Sequence, residues 1–260
     1  MCTGRRKSLT HRRENITDWA LEQFRARYHD PSISKWDIFH YIYAVLHHPE
    51  YRERYAANLR RELPRIPFAS ATTPNDCHPE RSEESAVPRP PEKLQIPRSA
   101  RNDKGEDEVA NADAGMFRAF AKAGQGLAEI HVHYEQQPEY ALTKTEKAGE
   151  KLDYRVTKMK LSKDKTSLIY NQFLTLSGIP KETYEYRLGN RSALEWVIDQ
   201  YQVSTDKRSG ITNDPNREDA REYILRLVGQ VITVSLETVK ITAALPELRV
   251  EYTASTPVRP

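Results

Sequence analysis

Cysteine is nearly missing from this sequence: Cys2 and Cys77 are the only two among 260 residues. Two thiols alone make neither a disulfide framework nor a zinc cage. Long apolar runs are missing too. No stretch approaches the roughly 18 residues that a spanning helix needs. The basic residues Arg5-Arg6-Lys7 and Arg12-Arg13 are followed by no apolar segment of the signal-peptide kind. A strong excess of one charge is also lacking, with 40 Lys and Arg against 37 Asp and Glu, a net charge of +3. Apolar residues make up 38% and charged ones 30%, above the usual quarter. These shortages exclude a membrane protein, a secreted disulfide knot and a collagen-like chain. They leave a soluble cytoplasmic protein of one or two domains, with no membrane partner.

Aromatic residues are unevenly spread. The chain holds 23, yet none falls between Ala69 and Ala112. That stretch carries six prolines (Pro74, Pro79, Pro88, Pro90, Pro91, Pro97) and is dense in Ser, Glu, Arg and Asp. Too little apolar surface is present to offset the entropy of ordering, so residues 69–112 read as disordered. Within it, His78-Pro79-Glu80-Arg81-Ser82-Glu83-Glu84-Ser85 and Pro97-Arg98-Ser99-Ala100-Arg101-Asn102-Asp103 resemble peptides translated from bacterial interspersed repeats. The resemblance implies an insertion without selected function; a regulatory linker is the alternative.

The flanks are patterned. Trp19, Ala20, Phe24 and Tyr28 follow a helical period. Ser34 with Asp37 predicts a capped second helix, with Ile38, Ile42, Val45 and Leu46 on its apolar face and surface histidines His47 and His48 at its end. Pro49 opens a third, with Tyr51, Tyr55, Leu59 and Leu63 on one stripe, stopped by Pro64 and Pro67. Phe117, Phe120, Gly124, Leu127, Ile130 and Tyr134 continue the helical pattern beyond the insertion. The period then changes. Leu152-Tyr154-Val156, Ser167 to Leu176 and Tyr184-Tyr186-Leu188 predict strands. Gly189-Asn190 predicts a turn before a capping box, Ser192 with Glu195. Residues 202–216 form a polar loop, and Leu225, Val228, Ile232, Leu236 and Val239 predict a last long helix ended by Pro246. The fold class is therefore α+β, a helical base with a β-rich, loop-bearing centre. Its parts are a basic tail (1–13), a helical segment (14–68), the disordered insertion (69–112), the main body (113–246) and a C-terminal tail (247–260).

Catalytic patterns fail on inspection. No phosphate-binding G-x-x-x-x-G-K-[ST] loop is present, nor a G-x-S-x-G elbow. Gly124-Gln125-Gly126 lacks the third glycine of a dinucleotide fingerprint and better suits a close helix contact. Asn213-Asp214-Pro215-Asn216 lacks the second proline and the aromatic of an amino-methyltransferase loop and reads as turn chemistry. His131 and His133 sit about 200° apart on a helix and make no metal pair. No catalytic residue, metal or cofactor is assigned.

What remains is a polar, basic surface. Lys158, Lys160, Lys163 and Lys165 lie along one strand–loop region. Arg187, Asn190 and Arg191 cluster at the next turn, and Lys207, Arg208, Asn213 and Asn216 fall in the later loop. Lys and Arg neutralise phosphates, and Arg and Asn also pair bidentately with base edges. With acids almost as numerous, composition alone favours solvated loops, and a net charge of +3 is weak support for DNA binding. Tyr184, Tyr186, Leu194 and Trp196 are expected to fill the core.

Three stretches together resemble the C-terminal specificity domain of type ISP restriction-modification enzymes. The first runs from Lys35-Trp36-Asp37-Ile38-Phe39-His40-Tyr41-Ile42-Tyr43 through His47-His48-Pro49-Glu50-Tyr51-Arg52 to Pro64-Arg65-Ile66-Pro67-Phe68. The second holds Leu176-Ser177-Gly178-Ile179-Pro180, Tyr184-Glu185-Tyr186 and Gly189-Asn190-Arg191-Ser192-Ala193-Leu194-Glu195-Trp196. The third holds Tyr201-Gln202-Val203, Ser209-Gly210-Ile211 and Asn213-Asp214-Pro215-Asn216. The similarity covers residues 14–68 and 113–246. It implies a domain that reads a short asymmetric site on double-stranded DNA and presents an adenine to a methyltransferase. S-adenosylmethionine and ATP would serve the nuclease, motor and methyltransferase parts, whose motifs are missing here. A detached C-terminal piece, non-catalytic alone, is expected. DNA contacts are expected from Arg187, Asn190, Arg191, Lys207, Arg208, Asn213, Lys158, Lys160 and Lys163. Two rivals stand beside this reading. One is an interaction subunit docking a separately encoded methyltransferase, helicase or nuclease polypeptide; the other is an inactive decayed gene product.

Overall fold

The computed structural model describes residues 14–71, 103–149 and 151–248, with the backbone alone over 103–107. The chain divides into two compact units, residues 1–124 with 246–260 and residues 125–245.

The first unit is helical. Helix α1 (Asp18–Tyr28) starts at Thr17, whose hydroxyl accepts from the Ala20 N–H, and ends at His29 in the left-handed region, φ 49°. Helix α2 (Lys35–His47) opens on a full capping box between Ser34 and Asp37. Its buried face is Ile38, Tyr41, Ala44 and Val45. The expected Ile42 and Leu46 are only partly covered, because the stripe follows Tyr41 into an aromatic core. There Phe24 meets Phe68 at 4.9 Å between ring centroids, Tyr28 meets Phe117 at 4.8 Å and Tyr41 meets Phe117 at 5.1 Å.

The predicted third helix is two short pieces, α3 (Pro49–Arg54) and α4 (Ala56–Leu59), and Leu63 is 90% exposed rather than on a buried stripe. The proline-rich segment after them is laced to the helices by tyrosines. Tyr51 donates to the Arg65 carbonyl at 2.7 Å, Tyr41 to that of Pro67 at 2.7 Å and Tyr28 to that of Ala69 at 3.2 Å. His48 corrects another expectation. It is a buried residue, with Nε2 3.0 Å from the Pro246 carbonyl, not a surface histidine.

Helix α5 (Asp103–Val132) belongs to the first unit up to Gly124 and to the second beyond it. A Cβ on Gly124 would lie 1.8 Å from the His40 carbonyl oxygen, so the glycine lets two helix backbones touch. The boundaries of the expected insertion narrow. Ala69 and Ser70 are buried, and residues 103–112, expected to be disordered, are helical. Asp113 binds both flanks: its carboxylate accepts from Ser70 Oγ at 3.0 Å and the Ala71 N–H at 2.7 Å, and pairs with Arg27 at 2.8 Å. Asp113 is itself buried, and these contacts satisfy its carboxylate. Cys77 and the repeat-like peptides up to Asn102 lie outside the described residues, as do the basic arginines of residues 1–13.

The second unit is α+β, as expected. An antiparallel sheet has the order β1 (Thr143–Glu146), β4 (Leu174–Ser177), β3 (Ser167–Ile169) and β2 (Lys160–Leu161). Its inward residues Leu168, Leu174 and Leu176 pack with Tyr170, Leu194, Ile224, Val228 and Ile232. The last three lie on helix α7 (Tyr223–Ala243), which buries a second face, Leu227, Val231 and Val234, against Tyr186 and Ala193. Two small hairpins complete the unit: β5 (Arg187–Leu188) with β6 (Arg191–Ser192), and β7 (Ser204–Thr205) with β8 (Thr212–Asn213). Helix α6 (Ala193–Gln200) follows β6 directly.

Leu152-Tyr154-Val156 is not a strand. Side chains take its backbone groups: the Val156 N–H donates to Asn216 Oδ1 and Asn216 Nδ2 donates to the Val156 carbonyl, each at 2.8 Å. Tyr184 ends a single 3-10 turn, and only Leu188 of that expected strand lies in one.

Candidate nucleic-acid interface

The Gly189-Asn190 turn sets the site. Gly189 has φ +70°, the conformation that a two-residue hairpin loop demands at its first position. The turn places Arg187 and Arg191 on neighbouring strands, and the Arg187 guanidinium donates to the Asn190 carbonyl. Immediately after β6, the Ser192–Glu195 capping box starts α6. Ser192 Oγ accepts from the Glu195 N–H, and Glu195 Oε2 accepts from the Ser192 N–H at 2.9 Å.

An open depression of about 490 Å³ lies here. Lys165, Arg187, Asn190, Arg191, Glu195 and Asp199 are among its walls. It holds three cations against two carboxylates. Lys165 reaches Glu195 at 2.8 Å and lies over the Tyr184 ring at 5.1 Å. Arg191 reaches Asp199 at 2.8 Å and lies over Trp196 at 5.3 Å. The Lys165 bond first, and the Ser192 N–H next, hold the Glu195 carboxyl down at about 2. Both pairs are substantially solvent-exposed, worth only about 0–1 kcal/mol each. They therefore orient the cations without sequestering them.

Of the residues expected to contact DNA, the fold brings Arg187, Asn190 and Arg191 together with Lys165. The others form a different group. Lys207 and Arg208 are exposed at the tip of the β7–β8 hairpin. That tip is built by Asp206, whose Oδ1 accepts from the N–H groups of Arg208 at 2.8 Å and Ser209 at 2.7 Å, and by Gly210 at φ +70°. Asn213 lies on β8, exposed. Lys158 emerges near the base of this hairpin, where the Val203 N–H donates to the Thr157 carbonyl at 3.1 Å. Lys160 is exposed on β2 and Lys163 in the β2–β3 turn. Asn216 holds Val156 through both its amide atoms and is structural; its neighbour Asp214 accepts from the Asn216 N–H, which is the expected turn chemistry.

Sequence reasoning assigned Trp196 to the core and passed over Asp199. Leu194 is fully buried and Tyr186 nearly so, as expected. Trp196 is instead half-covered, with Nε1 donating to the Leu188 carbonyl at 2.9 Å. Its spacing of three from Asp199 was the available signal; the approach to Arg191 depends on the hairpin. His131 is also structural, stacked on Tyr186 at 5.1 Å with Nε2 2.8 Å from Thr238 Oγ1. Among the described residues no cluster of His, Cys, Asp or Glu could hold a metal ion, and no helix is long and apolar enough to cross a membrane.

Solved type ISP restriction-modification enzymes contain a region similar to this chain. A nuclease-deletion mutant of the type ISP enzyme LlaGI, in complex with a DNA substrate mimic, is 35% identical over 85% of this chain, with a TM-score of 0.61. The ATP-dependent type ISP enzyme LlaBIII bound to DNA is 30% identical over 92%, TM-score 0.67. A cryo-electron-microscopy structure of a DrdV–DNA complex is 34% identical over 90%, TM-score 0.63. The chain spans only 17%, 13% and 20% of those chains, respectively. No curated protein matches it. The profile of the type ISP C-terminal specificity domain matches residues 3–74 and 110–227, and the chain belongs to that family. The unmatched residues between, 75–109, fall where an insertion was expected.

Proposed function

We propose that this chain is a DNA-recognition module that reads a short asymmetric site on a duplex and is non-catalytic by itself. The observation that carries the reading is the Arg187–Arg191 hairpin, whose cations are oriented at an open depression, in a domain whose solved relatives are DNA-bound. Arg187, Asn190 and Arg191 act on base edges. Lys158, Lys160, Lys163, Lys207 and Arg208 act on phosphates, with Asn213 beside them. S-adenosylmethionine and ATP belong to other parts of a type ISP enzyme, which an adjoining or separately encoded polypeptide would supply.

The test is selection of bound duplexes from a random pool, followed by salt titration. One enriched asymmetric motif supports the reading; binding without enrichment leaves only the electrostatic contribution and refutes it. Lys163→Ala should weaken all duplexes alike and lower the salt slope by about one, leaving the motif intact.

A second reading rests on the first unit. Trp36 and Phe39 on α2 are 62% and 38% exposed, and Trp19 on α1 is 69% exposed. Such a face suits a docking subunit for a separate methyltransferase or motor. Salt-insensitive capture of that polypeptide, without duplex binding by the free chain, would favour it.

A further inference from the structure

The Arg191 guanidinium has a neighbour on two sides. Its Nη1 lies 2.8 Å from Asp199 Oδ2, and its Cζ lies over the Trp196 ring, 5.3 Å from the centroid. Trp196 is itself pinned, because its indole N–H donates to the Leu188 carbonyl across the hairpin. Trp196 and Asp199 are three apart on α6, so one helix face supplies both the platform and the carboxylate. The helix start is locked by the Ser192–Glu195 box directly after Arg191. With Nη1 turned toward the carboxylate, the Nε–Nη2 edge presents a two-donor fork. About 43% of the Arg191 side chain is exposed, and the residue lines the depression.

A carboxylate at a phosphate-binding surface repels the ligand, so Asp199 is misplaced if Arg191 serves only as a charge. It is well placed if Arg191 must hold a fixed orientation. A planar two-donor fork matches the O6 and N7 acceptors of guanine in the major groove, a pattern that no other base presents.

We propose that Arg191 reads a guanine and that Asp199 and Trp196 are positioning residues that aim its fork. This rests on the DNA-recognition reading and adds the base and the device that selects it. Asp199 touches no base in this account; it acts through Arg191.

The experiment is duplex selection with the full chain, its Asp199→Asn and Arg191→Lys variants and the double variant. Asp199 is on the surface, and circular dichroism checks that each variant is folded. The wild-type motif should contain a guanine whose preference falls by about 5- to 100-fold in each single variant. The double variant should be no worse at that base pair than Arg191→Lys, because the two residues act as one unit. Affinity for duplexes lacking the motif should not fall in Asp199→Asn, since a negative charge is removed. An unchanged motif in Asp199→Asn, with uniformly tighter binding, would make Asp199 a mere surface charge and overturn the inference while leaving the DNA reading intact. Relaxation at a pair lacking guanine would also overturn it. No motif for the wild type would overturn the DNA reading itself, and this inference with it.

Discussion

Glu195 does two jobs with one carboxylate: one oxygen caps α6 through the Ser192 N–H, and the other holds Lys165. Both contacts favour the ionised form, which keeps its pKa at about 2 instead of the ordinary 4.5. A depressed folded-state pKa adds stability that is fully present above about 4.5 and lost as pH falls through about 2. Glu195→Gln keeps an oxygen for the Ser192 N–H but loses the charge. Urea unfolding at a series of pH values should therefore show the wild type ahead above pH 4.5, with the gap closing toward pH 2. A gap independent of pH would assign the loss to capping geometry alone. The capping box was readable from Ser192 and Glu195 three apart. The bond to Lys165 was not, because it joins residues thirty apart through a turn in which Lys165 itself adopts φ +58°.

At the scale of elements, periodicity served helices better than strands. Phe24 and Tyr28 on α1, Ser34 and Asp37 at the start of α2, and the steps of α7 all lie where the pattern put them, because helical faces are set locally. The alternating Leu152-Tyr154-Val156 failed because strand pairing needs a neighbouring strand, and here the Asn216 amide takes its place. The reading of Gly124 as a close helix contact also holds, since α2 and α5 touch backbone to backbone there. Gly124→Ala gains helix propensity of about 1 kcal/mol yet drives a methyl into the His40 carbonyl. The clash wins, and chemical denaturation should show a net loss of about 2 kcal/mol. A neutral or stabilising effect would mean that the two helices separate freely.

Across the whole molecule, the match to the family is broken over residues 75–109. Asp113 gathers Arg27, Ser70 and Ala71, so both flanks of the unmatched stretch 75–109 are tied by contacts that do not depend on it. Deleting residues 75–102 and joining the ends through a short Gly-Ser linker should preserve the unfolding midpoint or raise it slightly. Shortening a loop changes closure entropy only slowly, by about 0.6 kcal/mol per halving. A collapse of the transition would show that the insertion has become part of the fold. The α+β class was legible from the shift in period along the chain. The DNA-facing candidates were legible as residue types but not as groups. Only the hairpins separate Arg187, Asn190 and Arg191 from Lys207 and Arg208.

Hydrogen exchange of the full chain, with and without a selected duplex, tests the central claim most directly. DNA recognition by the second unit predicts slowed exchange over Arg187–Trp196 and over the β7–β8 hairpin, with α1 to α4 unchanged. Protection confined to α2 and its exposed aromatic face, with none at the hairpins, would contradict it.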